Sequence, residues 1–282
     1  MGAAVAERSI AVLFKGSIGD ELNTTPLVRA LSIQRGCKVV VRMTYAGAIY
    51  AGSPYATEAG EFSDYVLLRH PGSEEHGLHL IDHYARLAGV TLEGRGLDFF
   101  LGPSDAVDDL TQAAGVKRVA VDTRCGWPSR QWPLRRFRQL ADELRRAGVE
   151  VLEVGKTLTN CFGQAVEDRL GNADRSFLDR LSLRQTAYVL SQCDLFIGCD
   201  SGLSHLAAAV GIPAVTLFGP IHPATRMHAG TIPIFAEACP NHRTQHVECQ
   251  RGGNVCMRSI SVDTVRAAAL RALFKAGRGK NA

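Results

Sequence analysis

The run Leu195-Phe196-Ile197-Gly198-Cys199 ends at an acid, Asp200, and is followed at once by Ser201-Gly202 and the small-residue stretch Leu203 to Ala209. No other part of the chain constrains its fold as tightly. A short apolar run bounded in this way reads as a buried strand, and the stretch after it as a helix. That order puts Asp200, Ser201 and the first amides of a helix at the carboxyl end of a strand, where open α/β sheets hold their ligands. A helix N-terminus there offers unpaired N–H groups and a positive dipole end to an anion, typically a phosphate.

The same alternation of strand and helix runs through the rest of the chain. In the first half, 10–14 reads as a strand. The loop Lys15-Gly16-Ser17-Ile18-Gly19-Asp20 leads into one helix reaching to 34, ended by Arg35-Gly36. Strands follow at 38–43 and 64–68, with a helix over 79–87 closed by Gly89. In the second half, 118–121 is a strand. The segment 134–147 is an amphipathic helix with Leu134, Phe137, Leu140, Ala141 and Leu144 on one stripe. Its other face carries Arg135, Arg136, Arg138, Arg145 and Arg146, either simply solvated or set against an anionic surface. Gly148 closes this helix and 149–154 is the next strand. Ser182 with Gln185 forms a capping box for a helix to 192. The units 195–197, 202–210 and 214–218 make a further βαβ, and Ser261 caps a last helix through 275. Two such successions imply an α/β protein of two doubly wound parallel sheets facing one cleft. The boundary is expected near 105, giving domains 1–105 and 106–282.

Composition narrows the function classes. The chain has 282 residues, 46% hydrophobic and 21% charged, with a formal net charge of +4. That is a globular composition. Its basic excess is enough to help attract anionic substrates or a membrane surface and too weak to argue for nucleic acid. No run of about 18 apolar residues is present, so no membrane span is expected. The first residues lack a signal-peptide core, and the default location is cytoplasmic. Eight cysteines in a chain of this length do not form a secreted disulfide framework. Cys37, Cys125, Cys161, Cys193 and Cys199 are scattered and read as core or near-surface thiols. Cys239-Pro240-Asn241-His242 gives a Cys-x-x-His pair, with Cys249 and Cys256 each following after a six-residue spacer. Cys239, His242, Cys249 and Cys256 could close a structural zinc or iron site, with His246 as a competing ligand. The other reading is free thiols or a disulfide.

Two readings of Asp20 stand. Asp is favoured as an N-cap, and a carboxylate at a strand-to-helix turn can also act as a general base on a sugar hydroxyl. Gly16 and Gly19 would let an acceptor or phosphate approach the backbone. Ser201, the amides near Gly202 and His205, one turn further on, could hold a diphosphate. Alternatively, Asp200 and Ser201 only cap the helix and His205 is an interior residue.

The chain resembles glycosyltransferase family 9, the heptosyltransferase family. The resemblance rests on Ile197-Gly198-Cys199-Asp200-Ser201-Gly202-Leu203-Ser204-His205-Leu206-Ala207-Ala208-Ala209 with Gly211-Ile212-Pro213 and Leu217-Phe218-Gly219-Pro220. Ser17-Ile18-Gly19-Asp20 followed by Thr24-Thr25-Pro26-Leu27-Val28-Arg29-Ala30-Leu31 adds a second motif, and Trp127-Pro128-Ser129-Arg130-Gln131-Trp132-Pro133 a third. It implies a GT-B fold with Rossmann-like domains, the acceptor on the first and a nucleotide-sugar donor on the second. It also implies inverting transfer without a catalytic metal. The donor suggested is ADP-heptose; the acceptor is a lipopolysaccharide, another glycan or lipid-linked glycan, or a protein. On this resemblance Asp20 matches the catalytic base, and Asp200, Ser201, Gly202 and His205 match the donor-binding motif. Arg130 stands where the family usually has a lysine that neutralises the diphosphate, and Thr123 is a looser match in the same pocket. Family members often carry a cysteine run near 239–256, and a subgroup acting on autotransporter proteins holds iron there. The resemblance also implies a cytoplasmic enzyme with at most peripheral contact with the inner membrane.

Three departures stand out. Arg replaces Lys at 130, Ile221 replaces a usual Thr, and the first domain is short for the family. A nucleotide-sugar epimerase of the same fold is one alternative function. A non-enzymatic sugar-nucleotide-binding or assembly subunit is another.

Overall fold

The computed structural model describes residues 9–71, 77–108, 110–166, 169–236, 247–249 and 252–275. The chain divides into two compact units, Met1–Gly102 and Pro103–Ala282.

The first unit runs β1 (Ile10–Leu13), α1 (Ile18–Leu22), α2 (Thr25–Arg35), β2 (Val39–Arg42), α3 (Ala46–Ile49), β3 (Ala56–Thr57), β4 (Asp64–Leu67) and α4 (Leu80–Ala88). Its sheet has the order β3-β2-β1-β4, every pair parallel. The order reverses between β1 and β4, so the loops after these two strands meet at a switch point.

The single helix expected over 20–34 is two. Pro26 lies in the first turn of α2 and has no N–H with which to continue a helix from α1. The carbonyl of Leu22, which residue 26 would have bonded, instead accepts from Thr25 Oγ1 at 2.9 Å. Gly36 ends α2 in the left-handed region, φ 68°.

The second unit runs β5 (Lys117–Asp122), α5 (Leu134–Arg146), β6 (Val149–Glu153), β7 (Leu158–Thr159), β8 (Ala165–Val166), β9 (Arg175–Ser176) and α6 (Leu183–Ser191). Then follow β10 (Leu195–Cys199), α7 (Gly202–Ala209), β11 (Ala214–Phe218), β12 (Thr231–Phe235), α8 (Val255–Ser259) and α9 (Val262–Lys275). The main sheet has the order β12-β11-β10-β5-β6-β9 and is parallel throughout. Counted from β5, this is the strand order of a dinucleotide-binding Rossmann sheet, with its switch point between β5 and β10. β7 and β8 form a small antiparallel pair.

The core of this unit explains its order. Val119 and Val121 of β5, Val151 of β6, Leu195 and Ile197 of β10 and Val215 and Leu217 of β11 are buried in one cluster with the apolar stripe of α5 and with α9. Phe137, Leu140, Ala141 and Leu144 are all at most 1% exposed, and burying each large side chain contributes about 1.5–3 kcal/mol. The opposite face of α5 is partly tied down. Arg138 Nε donates to the Leu170 carbonyl at 3.0 Å and Arg145 pairs with Asp174 at 2.8 Å. Arg136 reaches the carbonyls of Arg258 and Ile260. Among the described residues, no helix is long and apolar enough to cross a membrane.

Candidate functional site

In the first unit the loop after β1 carries Asp20. The N-cap of α1 is Ser17, and Asp20 is the third helical residue. One carboxylate oxygen, Oδ2, accepts from the Ser17 amide at 2.9 Å and from Ser17 Oγ at 2.7 Å. The other, Oδ1, faces the exposed ring of His70, with Nδ1 at 3.9 Å. His70 follows β4, so the pair spans the switch point of this sheet. Asp20 is 24% exposed. Its carboxylate is therefore held by one oxygen and stays partly exposed, an arrangement compatible with a general base.

Gly16 is required by close approach. A Cβ there would lie 2.6 Å from Phe14 Cε1 and 2.8 Å from Asp20 Cβ. Gly19 is buried inside α1. The neighbouring acid points inward. Glu21 has no exposed surface and accepts from the amides of Thr44 and Tyr45 at 2.9 and 2.7 Å. Burial pushes its carboxyl above the ordinary value, against the pull of these amides. Glu21 anchors α1 to the loop after β2 and so fixes where Asp20 stands. No periodicity in the sequence separates the two acids by role.

In the second unit the site forms at the ends of β5 and β10. Asp122 is paired in register with Gly198, which brings the segment after β5 against Asp200. Asp200 is 1% exposed. Its amide donates to the Leu217 carbonyl at 3.1 Å, so the end of β11 fixes its backbone. Arg130 arrives from the short helical turn Pro128–Arg130. Its Nη1 donates to the Asp200 carbonyl at 3.1 Å and to Oδ2 at 3.2 Å. The guanidinium carbon sits 3.8 Å from the centroid of the Trp127 ring, a cation–π stack. Its Nε is buried and bonded to no described residue. A planar guanidinium can hold Asp200 by one edge and present another to an anion in a fixed geometry, where an ammonium would act as a point charge. Trp127 belongs to the motif read from the sequence, yet its role as a platform was not legible there.

Ser201 is the N-cap of α7 and Gly202 its first residue. The reciprocal contacts at this end are made by Ser204, whose Oγ donates to the Ser201 carbonyl at 2.7 Å and accepts from the Ser201 amide at 3.4 Å. Ser201 Oγ is buried and bonded to no described residue. A buried hydroxyl left in this state costs about 1–3 kcal/mol, and a ligand oxygen would relieve that cost. His205 is buried, its Nε2 3.7 Å from Asp200 Oδ1 and its Nδ1 2.7 Å from Nε2 of His228. His228 was not singled out by sequence reasoning; it lies 23 positions further on in a loop without periodicity. Thr123 has no exposed surface, and its carbonyl accepts from Gln131 Nε2. Ile221 is buried.

Beside these residues lies a buried ionic cluster. Arg124 bonds Asp122 at 2.8 Å and Glu153 at 3.2 Å, all three nearly without exposure. Burial pushes Asp122 up to about 6, with Arg124 pulling the other way. Burial keeps the thiols nearby in their protonated form. Burial pushes Cys125 up to about 11 and Cys199 well above its ordinary range.

The expected metal ligands are only partly within view. Cys239, His242 and the competing His246 lie outside the described residues. Cys256 is buried in the apolar core cluster, and Cys249 Sγ lies 3.5 Å from the Gly252 carbonyl. Neither forms a disulfide with another described cysteine. Among the described residues, no three His, Cys, Asp or Glu side chains stand together as a metal site.

Comparison with known proteins agrees with this architecture. Lipopolysaccharide heptosyltransferase 1 of Pseudomonas aeruginosa is 36% identical over 98 residues, which is 34% of this chain and 27% of that protein. The chain thus matches less than a third of that relative's length. The iron-containing dodecameric glycosyltransferase TibC from enterotoxigenic E. coli H10407 superposes with a TM-score of 0.75 at 15% identity, over 94% of this chain and 76% of that one. TibC has also been solved in complex with ADP-D-β-D-heptose, and that structure superposes with a TM-score of 0.71 at 16% identity over the same shares. The E. coli ADP-heptose LPS heptosyltransferase II gives a TM-score of 0.71 at 15% identity, over 95% and 99%. These likenesses show the fold, which is GT-B. Residues 27–252 match the family glycosyltransferase family 9 (heptosyltransferase), a stretch that begins just after Asp20 and takes in Arg130, the end of β10 and α7. With most of its length inside that match and both parallel sheets in place, the chain belongs to glycosyltransferase family 9.

Proposed function

We propose that the protein is an inverting glycosyltransferase that moves a sugar from a nucleoside-diphosphate donor to a hydroxyl acceptor. ADP-heptose is the donor this reading favours. One observation carries it: at the switch point of the second sheet, the Arg130 guanidinium, the unbonded Ser201 hydroxyl and the N-terminal amides of α7 surround the end of β10. Those groups suit a diphosphate. The family match and the ADP-heptose bound to TibC support the choice of donor.

In this reading the acceptor oxygen attacks the anomeric carbon from the face opposite the diphosphate. The new C–O bond forms as the bond from that carbon to the phosphate oxygen breaks. Asp20 takes the acceptor's proton, and the electron pair leaves on the nucleoside diphosphate. Charge therefore grows on the phosphates in the transition state. Fixed donors aimed there stabilise it more than they stabilise the bound substrate. Acceptor classes consistent with the reading are a lipopolysaccharide core, another glycan and a protein hydroxyl.

Asp20→Ala tests the assignment of the base. Transfer should fall by about 10²–10⁴-fold, the usual contribution of a general base, with donor affinity retained. Unchanged transfer would remove Asp20 from the mechanism. A matched loss of donor binding would mean that its role is structural.

A further inference from the structure

We infer that His228 is a positioning residue of the donor site, which holds His205 as the neutral tautomer with its proton on Nε2, facing Asp200. The consequence for ligand binding rests on the donor site proposed above; the tautomer does not.

His205 stands on α7, and His228 comes from the loop that precedes β12. The two rings meet edge to face, with centroids 5.0 Å apart and planes at 75°. His205 Nδ1 and His228 Nε2 are 2.7 Å apart. A contact of that length between two ring nitrogens holds one proton, given by one ring and accepted by the other. Which ring gives it is decided on the far side of His205, where Nε2 lies 3.7 Å from Asp200 Oδ1. If His205 gave the proton from Nδ1 and remained neutral, its Nε2 lone pair would point at a carboxylate. If it carried protons on both nitrogens, a cation would be buried in a side chain only 8% exposed. That would be a second cation beside an acid already paired with Arg130, and burying a further charge is costly. The remaining state has His228 donating from Nε2 and His205 presenting N–H to Asp200. The ring nitrogen opposite a fixed hydrogen bond is the one whose protonation that bond sets.

This places four side chains in series: His228, His205, Asp200 and Arg130. Asp200 Oδ1 then faces an N–H, while Oδ2 takes the guanidinium. Rotating the carboxylate would give up the Arg130 bond and turn Oδ1 away from this N–H, so the pair favours the orientation that holds Arg130 where the diphosphate would lie. His205 therefore acts through Asp200, and His228 acts through His205.

The test uses the full chain with ¹⁵N-labelled histidine, read at pH 7.5 through the two- and three-bond ring correlations, with His205 assigned by comparison with His205→Asn. The expected result is the Nε2–H tautomer for His205 in the unsubstituted protein and in His228→Gln, whose side-chain amide can still donate. In His228→Phe, which keeps a ring but cannot donate, Asp200 alone still favours that tautomer, and the Nδ1–H form should gain a measurable share. An Nδ1–H or doubly protonated His205 in the unsubstituted protein would overturn the inference, as would the same ratio of the two tautomers in His228→Phe as in the unsubstituted protein. Calorimetry with ADP supplies the second reading. Affinity should fall about three- to tenfold in His228→Phe, the range of one net hydrogen bond, and be restored in His228→Gln. Equal affinity in both variants would overturn the positioning role. If ADP does not bind the unsubstituted protein, the proposed donor fails, while the ring correlations still decide the tautomer.

Discussion

Asp20 and Glu21 are adjacent acids in one short helix, and their surroundings give them separate work. Glu21 turns inward onto two backbone amides, and Asp20 turns outward with one oxygen bound by Ser17. Arg130 divides in a similar way: Nη1 belongs to Asp200, and the rest of the fork stays available. Arg130→Lys keeps the charge and loses this geometry. Donor affinity should fall by about 2 kcal/mol, roughly thirtyfold, as for a charged hydrogen bond; calorimetry with the sugar nucleotide measures it, and unchanged affinity would mean that charge alone suffices. Asp122 yields a pH prediction. Its folded value, about 6, lies above the unfolded one, which is about 3.9. The folded state therefore holds this proton more tightly, so the contribution to stability is full below about pH 4 and falls as pH rises through 6. The difference in Tm between the unsubstituted protein and Asp122→Asn should be more favourable to the former at pH 4 than at pH 7. A difference that grows with pH would contradict the burial argument.

Elements with a regular period were readable from the chain, and those shaped by single residues were not. The stripe of α5, the Ser182–Gln185 capping box of α6 and the β10-α7-β11 unit follow from spacing alone. β12 escaped because Pro233 interrupts it; it is nonetheless the edge strand beside β11, where a missing N–H is tolerated. The break between α1 and α2 follows from Pro26, whose effect could have been read, whereas the capture of the Leu22 carbonyl by Thr25 could not. At the site, the Asp200-Ser201-Gly202 end of β10 was legible because a strand, a turn and a helix meet there in sequence. His228 and the Trp127 stack were not, because they arise from folding distant segments together. α5 gives a direct check on the packing account. Leu144→Ala should cost about 2–5 kcal/mol by denaturant unfolding, while Arg146→Ala, at an exposed position of the same helix, should stay within about 0.5 kcal/mol. Equal costs would contradict the assignment of the buried face.

At the scale of the whole molecule, two parallel sheets each reverse strand order once, and each reversal carries one candidate group. Asp20 stands beside β1 and β4, and the Arg130–Asp200–Ser201 set stands at the ends of β5 and β10. A protein built in this way has its ligand chemistry at strand ends, with little demanded of the strands beyond packing. The expected cysteine and histidine cluster contributes no step to the proposed reaction. Metal analysis of the purified protein by mass spectrometry addresses it separately, and a structural site would appear as bound zinc or iron whose removal lowers Tm without abolishing donor binding. The central claim is that the second unit holds a nucleoside-diphosphate sugar through Arg130 and the end of β10. It is tested most directly by thermal unfolding of the unsubstituted protein and of Arg130→Ala with saturating ADP-, GDP-, UDP- and dTDP-sugars. A ligand at about a hundred times its Kd adds about 2.7 kcal/mol to the folded state. The account predicts that one sugar nucleotide, ADP-heptose first, raises the Tm of the unsubstituted protein and raises that of Arg130→Ala much less. No rise with any member, or an equal rise in both proteins, would contradict it.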